Sequence, residues 1–320
     1  MKVTLFGTRG STPISDARSI RYGGNTTCLR VESECLPSGW ALAVDTGSGF
    51  VPLSRALLVE KIMKVGVIYT HWHHDHTQGL FLAPHTFIPM TDVRIWGPKE
   101  HGVGPLEVFR DLMKPPLFPV SFVKVQHHIK TTPLYHVGTQ VMVVHPKAGF
   151  HLLDIHRYRQ RVAEHKQLKL GDGHYPVEEC LVILMYKTEH PEYTVSYRFE
   201  EKPTGRTFVF LTDHENTASL PRDLLEHVRG ADLLIQDGQY ANEVYMTQTA
   251  GFGHGTPEYC AEVMKESGAV RLGITHHDPS ATDADVDSRV REAQQRAMEL
   301  GVSDAEHCIF GCADYLAIEV

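Results

Sequence analysis

The sequence lacks three features that would place the protein in a membrane or an oxidising compartment. It has no apolar run of membrane length, which takes about 20 residues, and no apolar signal-peptide core follows Met1–Gly7. It also has no C-x-x-C pair, and 320 residues is too long for a disulfide-held scaffold. We therefore expect a cytoplasmic protein with no membrane partner. Its buried free thiols are predicted to be Cys28, Cys35, Cys180, Cys260, Cys308 and Cys312.

Positive charge is also scarce. Lys and Arg number 31 against 39 Asp and Glu, which gives a net charge of -8 and no overall basic field for nucleic acid. Residues 146–173 are the local exception. This segment is predicted to be either a solvated helix or insertion, or a patch that contacts phosphate groups or a partner subunit. Its basic residues are Lys147, Arg157, Arg159, Arg161, Lys166 and Lys169.

Histidine, in contrast, is abundant, with 21 in the chain. The richest stretch reads H-x-H-x-D-H and directly follows the apolar run Val65–Tyr69, which predicts a buried strand. The turn that leaves this strand would aim His71 and His73 at one metal ion, and Asp75 and His76 at a second. Imidazole and carboxylate ligands suit zinc, manganese or iron. Because the stretch is internal and mixed in composition, it is not an expression tag, and the spacing predicts metal binding.

Further ligand types follow later apolar runs along the chain. His190, Asp213, Asp237 and His276 each stand at or just beyond the end of such a run. Ligand candidates after successive strands suit a site along one sheet edge. Asp45 also follows a predicted strand, and it is either a turn former or a partner that hydrogen-bonds ligand histidines.

The remaining pattern alternates strands and helices with glycine turns, which predicts an α/β sandwich. Helices are predicted over Pro52–Met63 and Gly104–Met113, and a strand is predicted over Pro119–Val125.

At this point the motifs resemble a known family. H-W-H-H-D-H with His190, Asp213 and His276 resembles the metallo-β-lactamase-fold hydrolases. Three segments are similar to the ribonuclease Z and cyclic nucleotide phosphodiesterase branch of that superfamily: Phe6–Pro13, Tyr22–Thr26 and Gly251–Glu258. The whole resemblance runs from Leu5 to about Pro279.

The resemblance implies an αββα sandwich, with a dinuclear metal site at the edge of the two sheets, in a single domain over 1–320. It implies two divalent ions, Zn²⁺ above all, with Mn²⁺ or Fe²⁺ as alternatives. One ion would be bound by His71, His73 and His190, the other by Asp75, His76 and His276, and Asp213 would bridge them. His277 is an alternative last ligand; His276 is preferred because Thr275-His276 aligns with the family's T-H.

The implied chemistry is attack on phosphorus by a hydroxide held between the metals. Asp75 would orient this hydroxide or take its proton. His254 would donate a proton to the leaving oxygen or bind the phosphate, and Asp237 would orient its ring and favour the imidazolium. The alternative for His254 is an ordinary turn residue at a helix entry, since Gly255-Thr256-Pro257 is good capping chemistry.

These features favour a phosphodiesterase that acts on small phosphodiesters or nucleotides, cyclic nucleotides among them. Three departures from the branch argue against tRNA cleavage. One is the last ligand motif, His276-His277-Asp278-Pro279, which differs from that of ribonuclease Z. Glu192 and Tyr193 stand where small residues are usual, and no tRNA-gripping arm is recognisable unless 146–173 replaces it. The alternatives are a ribonuclease Z-like 3′-processing enzyme with RNA as partner, and a lactonase or thioesterase on the same fold. The resemblance is also compatible with a homodimer.

Overall fold

A computed structural model describes residues 1–320. The first of its two large sheets contains seven strands: β1 Lys2–Gly7, β2 Cys28–Glu32, β3 Trp40–Val44, β4 Lys64–Ile68, β5 Asp92–Pro98, β6 Ile129–Leu134 and β17 Ala317–Glu319. Their order is β17-β1-β2-β3-β4-β5-β6. The pairs from β3 to β6 are parallel, and the others are antiparallel.

The second sheet contains eight strands: β7 Gln140–His145, β8 Gly149–Asp154, β11 Leu181–Lys187, β12 Val195–Glu201, β13 Arg206–Leu211, β14 Leu233–Asp237, β15 Leu272–Thr275 and β16 Ile309–Gly311. Their order is β16-β15-β14-β13-β12-β11-β7-β8. The strands from β13 to β16 run parallel, so the segments that follow β13, β14 and β15 meet at one edge. A separate hairpin pairs β9 Leu168–Leu170 with β10 Gly173–Tyr175.

The α-helices are α1 Phe50–Val59, α2 His74–Thr77, α3 Pro84–Phe87, α4 Pro105–Leu112, α5 Ile155–Ala163, α6 Arg222–Val228, α7 Asn242–Val244, α8 Pro257–Ser267, α9 Asp283–Glu299 and α10 Ala305–Cys308. Short 3₁₀ turns cover Gln78–Leu82, Phe122–Lys124, Val137–Thr139 and Val177–Glu179, and a π turn covers Tyr245–Thr249. No helix of the structure is long and apolar enough to span a membrane.

Three apolar cores hold these layers together. The largest lies between the sheets, where Leu29 and Val44 of the first pack with Phe199 and Phe208 of the second. A second core packs α1 and α4 on the outer face of the first sheet, and a third packs α6, α8 and α9 on the outer face of the second. Each sheet is thus apolar on both faces, and the predicted αββα sandwich is confirmed.

The structure bears on two local predictions, the strand over Pro119–Val125 and the basic segment 146–173. The strand predicted over Pro119–Val125 is wrong, because Phe122 turns inward in a 3₁₀ turn and stacks on Phe109 of α4, with ring centroids 5.9 Å apart. The basic segment 146–173 contains the edge strand β8, α5 and part of the hairpin, and its Lys and Arg side chains are exposed.

The division of the chain into a single domain stays a prediction. The cysteines are all free thiols, and all but Cys308 are buried.

Candidate metal centre

The site forms where both sheets end at the same edge. Three residues that follow strands there adopt left-handed backbone without being glycine: Asp45 after β3 (φ +57°), Asp213 after β13 (φ +51°) and His276 after β15 (φ +58°). Such a conformation costs about 1–3 kcal/mol in a non-glycine residue, and it persists where the surroundings fix it. Here it turns the carboxylate and imidazole groups sharply out of their strands and towards one another.

A first ligand group consists of His71, His73, His190 and Asp213, each of which offers one atom within 4.8 Å of the others. The Nε2 atom of His71 lies 3.6 Å from Oδ2 of Asp213. His71 and His73 come from the turn after β4, whereas His190 follows β11 and Asp213 follows β13. The group therefore joins the two sheets.

Three buried atoms of this group have no hydrogen-bond partner: Nε2 of His71, Nε2 of His190 and Oδ2 of Asp213. Nδ1 of His190 donates to the Gly253 carbonyl at 2.9 Å. Nδ1 of His71 donates to Thr70 Oγ1 at 3.1 Å, since this hydroxyl gives its own proton to Asp45. The proton on Nδ1 leaves a lone pair on each Nε2. Three converging acceptors without a donor are a costly arrangement, and a divalent cation fits it.

A second ligand group consists of Asp75, His76 and His276. Oδ2 of Asp75 lies 3.3 Å from Nε2 of His76 and 3.2 Å from Nε2 of His276. The other ring nitrogens are held from behind: Nδ1 of His76 donates to Asp45 at 2.8 Å, and Nδ1 of His276 donates to Gln239 at 2.7 Å. In its neutral form each ring therefore presents a lone pair on Nε2, and these ligand types again fit a divalent cation.

The electrostatics of this group favour positive charge. Burial alone would lower the pKa of His76, but the carboxylates of Asp213, Asp75 and Asp45 raise it well above its usual value. Burial would likewise raise the pKa of Asp75, but His76 and His276 hold it far below its usual range. Because Asp75 also accepts the backbone N–H of Ser11 at 2.7 Å, it stays ionised. A proton or a metal ion must therefore balance the negative charge.

Asp213 faces both groups with different oxygens. Oδ1 lies 3.3 Å from Nε2 of His76 and 3.5 Å from Nε2 of His276, whereas Oδ2 points to His71. The side chain is almost completely buried. This arrangement is the one that a bridging carboxylate requires, and the bridging role itself stays a prediction.

The two candidates for the last ligand point in different directions. The His276 ring points into the second ligand group. Its neighbour His277 turns the other way and donates from Nε2 to the Cys312 carbonyl at 2.8 Å. Burial is the main reason that the pKa of His277 falls to about 3, so this ring is neutral and belongs to the packing around β15 and β16.

His254 and Asp237 lie beside both ligand groups. Nδ1 of His254 is 2.8 Å from Oδ2 of Asp237, and the ring stacks on His276 with centroids 4.9 Å apart. Burial lowers the pKa of His254, but the carboxylate of Asp237, together with those of Asp213 and Asp75, raises it to about 9. Thr256, two residues later, caps α8 by accepting from the backbone N–H of Tyr259. The capping alternative therefore applies to Thr256, and the His254 ring faces the site.

Two contacts were not foreseen. Gln239, which positions His276, is two residues beyond β14, and its place after a strand is the only sequence signal for it. Ser11 donates its backbone N–H to Asp75. A contact made by the backbone cannot be predicted from a pattern of side chains. For Asp45, both readings hold together, because it makes the turn and also accepts from His76 and from the Thr70 backbone N–H.

Residues 42–277 match the family model of the beta-lactamase superfamily domain. The chain is 26% identical over 298 residues to a ribonuclease Z of Clostridium kluyveri, with 88% of this chain and 89% of that protein covered. It is 32% identical over 100 residues to a ribonuclease Z of Brevibacillus brevis, but that match covers only 31% of this chain and 30% of the relative.

Solved structures share the fold at low sequence identity. YhfI of Bacillus subtilis, a metallo-beta-lactamase-fold protein, is 18% identical with a TM-score of 0.62, and the match covers 100% of this chain and 99% of YhfI. Yeast PDE1 is 13% identical with a TM-score of 0.62, at 100% and 99% coverage. At these identities the likeness concerns the fold alone.

Proposed function

The chain belongs to the beta-lactamase superfamily of metal-dependent hydrolases, and we propose that it cleaves phosphodiester bonds in small substrates, cyclic nucleotides among them. The observation that carries this proposal is the His254–Asp237 pair. It sets a cationic ring beside two ligand groups, where an anionic substrate needs a counter-charge. A neutral lactone or ester would use this ring only as a proton donor, whereas an anionic phosphodiester would also pair with its charge.

The proposed ligands follow the two groups. His71, His73 and His190 would hold one ion, Asp75, His76 and His276 the other, and Asp213 both. Zinc is the proposed metal, because imidazole and carboxylate are its ordinary ligands, with manganese and iron as alternatives. When bound, the two ions would activate water at neutral pH and neutralise charge on the phosphoryl oxygens.

His254 is the proposed acid. Its Nδ1 proton is held by Asp237, so Nε2 is the nitrogen left for the substrate. With a pKa of about 9 the ring is protonated at neutral pH, and it can give a proton to the leaving oxygen or hold a phosphoryl oxygen. Asp75 is the proposed group that orients the attacking water. Because its pKa is far below its usual range, it is a weak base and acts by accepting a hydrogen bond.

The surroundings of the site favour a small substrate. A cavity of about 380 Å³ beside the first ligand group is lined by Trp72, Tyr193, Glu100 and Glu192, with no Lys or Arg. A long polyanion would find no counter-charges there. The exposed basic residues of 146–173 do not line this cavity, and none of them belongs to either ligand group. RNA 3′-processing remains the second candidate, because both curated relatives are ribonuclease Z.

The test is hydrolysis of bis(p-nitrophenyl) phosphate by metal-reconstituted protein, with p-nitrophenyl acetate as the ester control. We expect metal-dependent diester cleavage that falls in His254→Ala by about 10²–10⁴-fold with cyclic AMP, whose leaving alkoxide needs a general acid, and by less with bis(p-nitrophenyl) phosphate, whose p-nitrophenolate leaves without a proton. The matched control is His74→Ala, whose exposed side chain lies in the same motif outside both groups. Cyclic AMP and a tRNA precursor then separate the two phosphodiester substrates. Ester or lactone turnover without diester cleavage would overturn the proposal.

A further inference from the structure

Glu192 is an acidic residue that belongs to neither ligand group, yet it lies against the first one. Its Oε2 atom is 2.9 Å from Nε2 of His73 and 3.6 Å from Nε2 of His190. The side chain is 55% exposed, whereas that of His190 is 1% exposed. It stands in the connection between β11 and β12, two residues after His190. The carboxylate therefore covers the outer, solvent-facing side of the group.

The hydrogen bonds around His190 determine what this contact requires. Because Nδ1 of His190 donates to the Gly253 carbonyl, Nε2 carries a lone pair and cannot donate to Glu192. A carboxylate oxygen and a ring lone pair that face each other across 3.6 Å repel unless a cation lies between them. A proton on His73 would satisfy one of the two contacts of Glu192. An ion among the three groups satisfies both.

Glu192 stands outside the set of atoms that lie within 4.8 Å of one another, but its distances to two members of that set, His73 and His190, suit a shared ion. Zinc binds imidazole nitrogen and carboxylate oxygen at about 2.0–2.2 Å, so two ligands of one ion lie roughly 3–3.5 Å apart. The contacts of Glu192 with His73 and His190 fall at or near this range. We propose that Glu192 is an additional ligand of the first metal position, which it closes on the side of the solvent.

The position of Glu192 implies that it is displaceable. It lines the cavity of about 380 Å³ through which this side of the site opens, together with Glu100, Tyr193 and Trp72. His71 also lines this cavity but, like Asp213, is 1% exposed, whereas Glu192 is 55% exposed. An oxygen of an incoming anion would therefore take the place of the Glu192 carboxylate. This inference rests on the metal positions of the proposed function, but it holds whichever bond the enzyme cleaves.

The experiment is metal retention by the full-length zinc-loaded protein during titration with a colorimetric chelator, for the wild type and Glu192→Gln. The amide keeps the shape of the side chain but is a much weaker ligand. We expect one of the two ions to leave at roughly tenfold lower chelator concentration, the lower end of the range for loss of groups around a metal. The second ion should be unaffected. Equal retention of both ions in the variant would overturn the proposal.

Two controls separate coordination from loss of charge. Glu100→Gln removes a carboxylate from the same cavity, and Glu189→Gln removes an exposed one from the same connection. Both should retain metal like the wild type. A loss in Glu100→Gln equal to that in Glu192→Gln would mean that cavity charge is responsible, and it would overturn direct ligation.

A spectroscopic measurement tests the same point without turnover. In cobalt-substituted protein, visible absorption reports the ligands of the metal, and it should change in Glu192→Gln and stay constant in Glu100→Gln. Orthophosphate should also bind several-fold more tightly to Glu192→Gln, because it no longer competes with the carboxylate. An unchanged cobalt spectrum would contradict the proposal even if zinc affinity fell.

Discussion

The two ligand groups differ in how firmly the protein holds them. In the second group, His76 and His276 are almost fully buried, and each has its rear nitrogen fixed by Asp45 or Gln239. In the first group, His71 and His190 are just as buried and are held from behind by Thr70 and Gly253. The side chain of His73, however, is 43% exposed and faces the half-exposed Glu192. The difference indicates that the two groups have different roles. We propose that the second position is a preorganised anchor for a metal ion and that the first, which includes His73 and lies beside Glu192, is the adaptable position.

The largest expected effect comes from the residue that the two groups share. Asp213→Asn should abolish the binding of both ions and lower hydrolysis by more than about 100-fold, since even partners behind a ligand contribute 10–100-fold. Metal analysis by mass spectrometry, together with diester hydrolysis, provides the check. If Asp213→Asn still holds two ions, the two positions do not depend on a common carboxylate.

A smaller effect should follow from loosening the anchor alone. Asp45→Asn keeps the shape of the side chain but removes the negative charge behind His76 and Thr70. We expect metal affinity at the second position to fall by about 10–100-fold, with the first position much less affected. Chelator titration measures both, and Asp16→Asn, which removes an exposed carboxylate paired with Arg18, is the control. Equal losses at the two positions would remove the distinction between anchor and adaptable position.

The smallest effect concerns a histidine outside both groups. His227 of α6 is buried and donates from Nε2 to Ser196 Oγ at 2.9 Å, and burial lowers its pKa to about 3. In the unfolded chain the pKa of a histidine is about 6.5, so as the pH falls His227 is protonated in the unfolded chain before it is protonated in the folded protein. The contribution of His227 to stability is therefore complete above pH 6.5, and it is lost as the pH falls towards 3.

His227→Gln should reduce the pH dependence of the free energy of unfolding by up to about 1.4 kcal/mol per pH unit in this window. Urea unfolding at several pH values measures it. Metal content should be unchanged, because His227 touches neither ligand group. Loss of metal from this variant would show that the centre depends on packing far from its ligands.

The amount that the sequence reveals depends on how local each contact is. His71, His73, Asp75 and His76 lie within six residues of one another, so their spacing alone brings them together. His190, Asp213 and His276 could be found because each stands just beyond a strand, and the resemblance ordered them into two groups. The support from Asp45 and Gln239 depends on pairing between distant segments, and spacing carries no signal for it.

The missed elements have a physical reason too. Pro119–Val125 is apolar, but Phe122 is buried against α4 by a turn rather than by a strand. In the sequence, Glu192 stands where the related branch usually has a small residue. Its contacts with His73 and His190 become visible only in the folded structure. Patterns predict which residues are buried more readily than the direction in which a polar side chain points.

The most direct test is a crystal structure of the metal-loaded protein with anomalous scattering data. We predict two anomalous peaks from a dinuclear centre, one among His71, His73 and His190 and one among Asp75, His76 and His276, with Asp213 between them. A single peak, or two peaks that leave either histidine set without metal, would contradict this prediction.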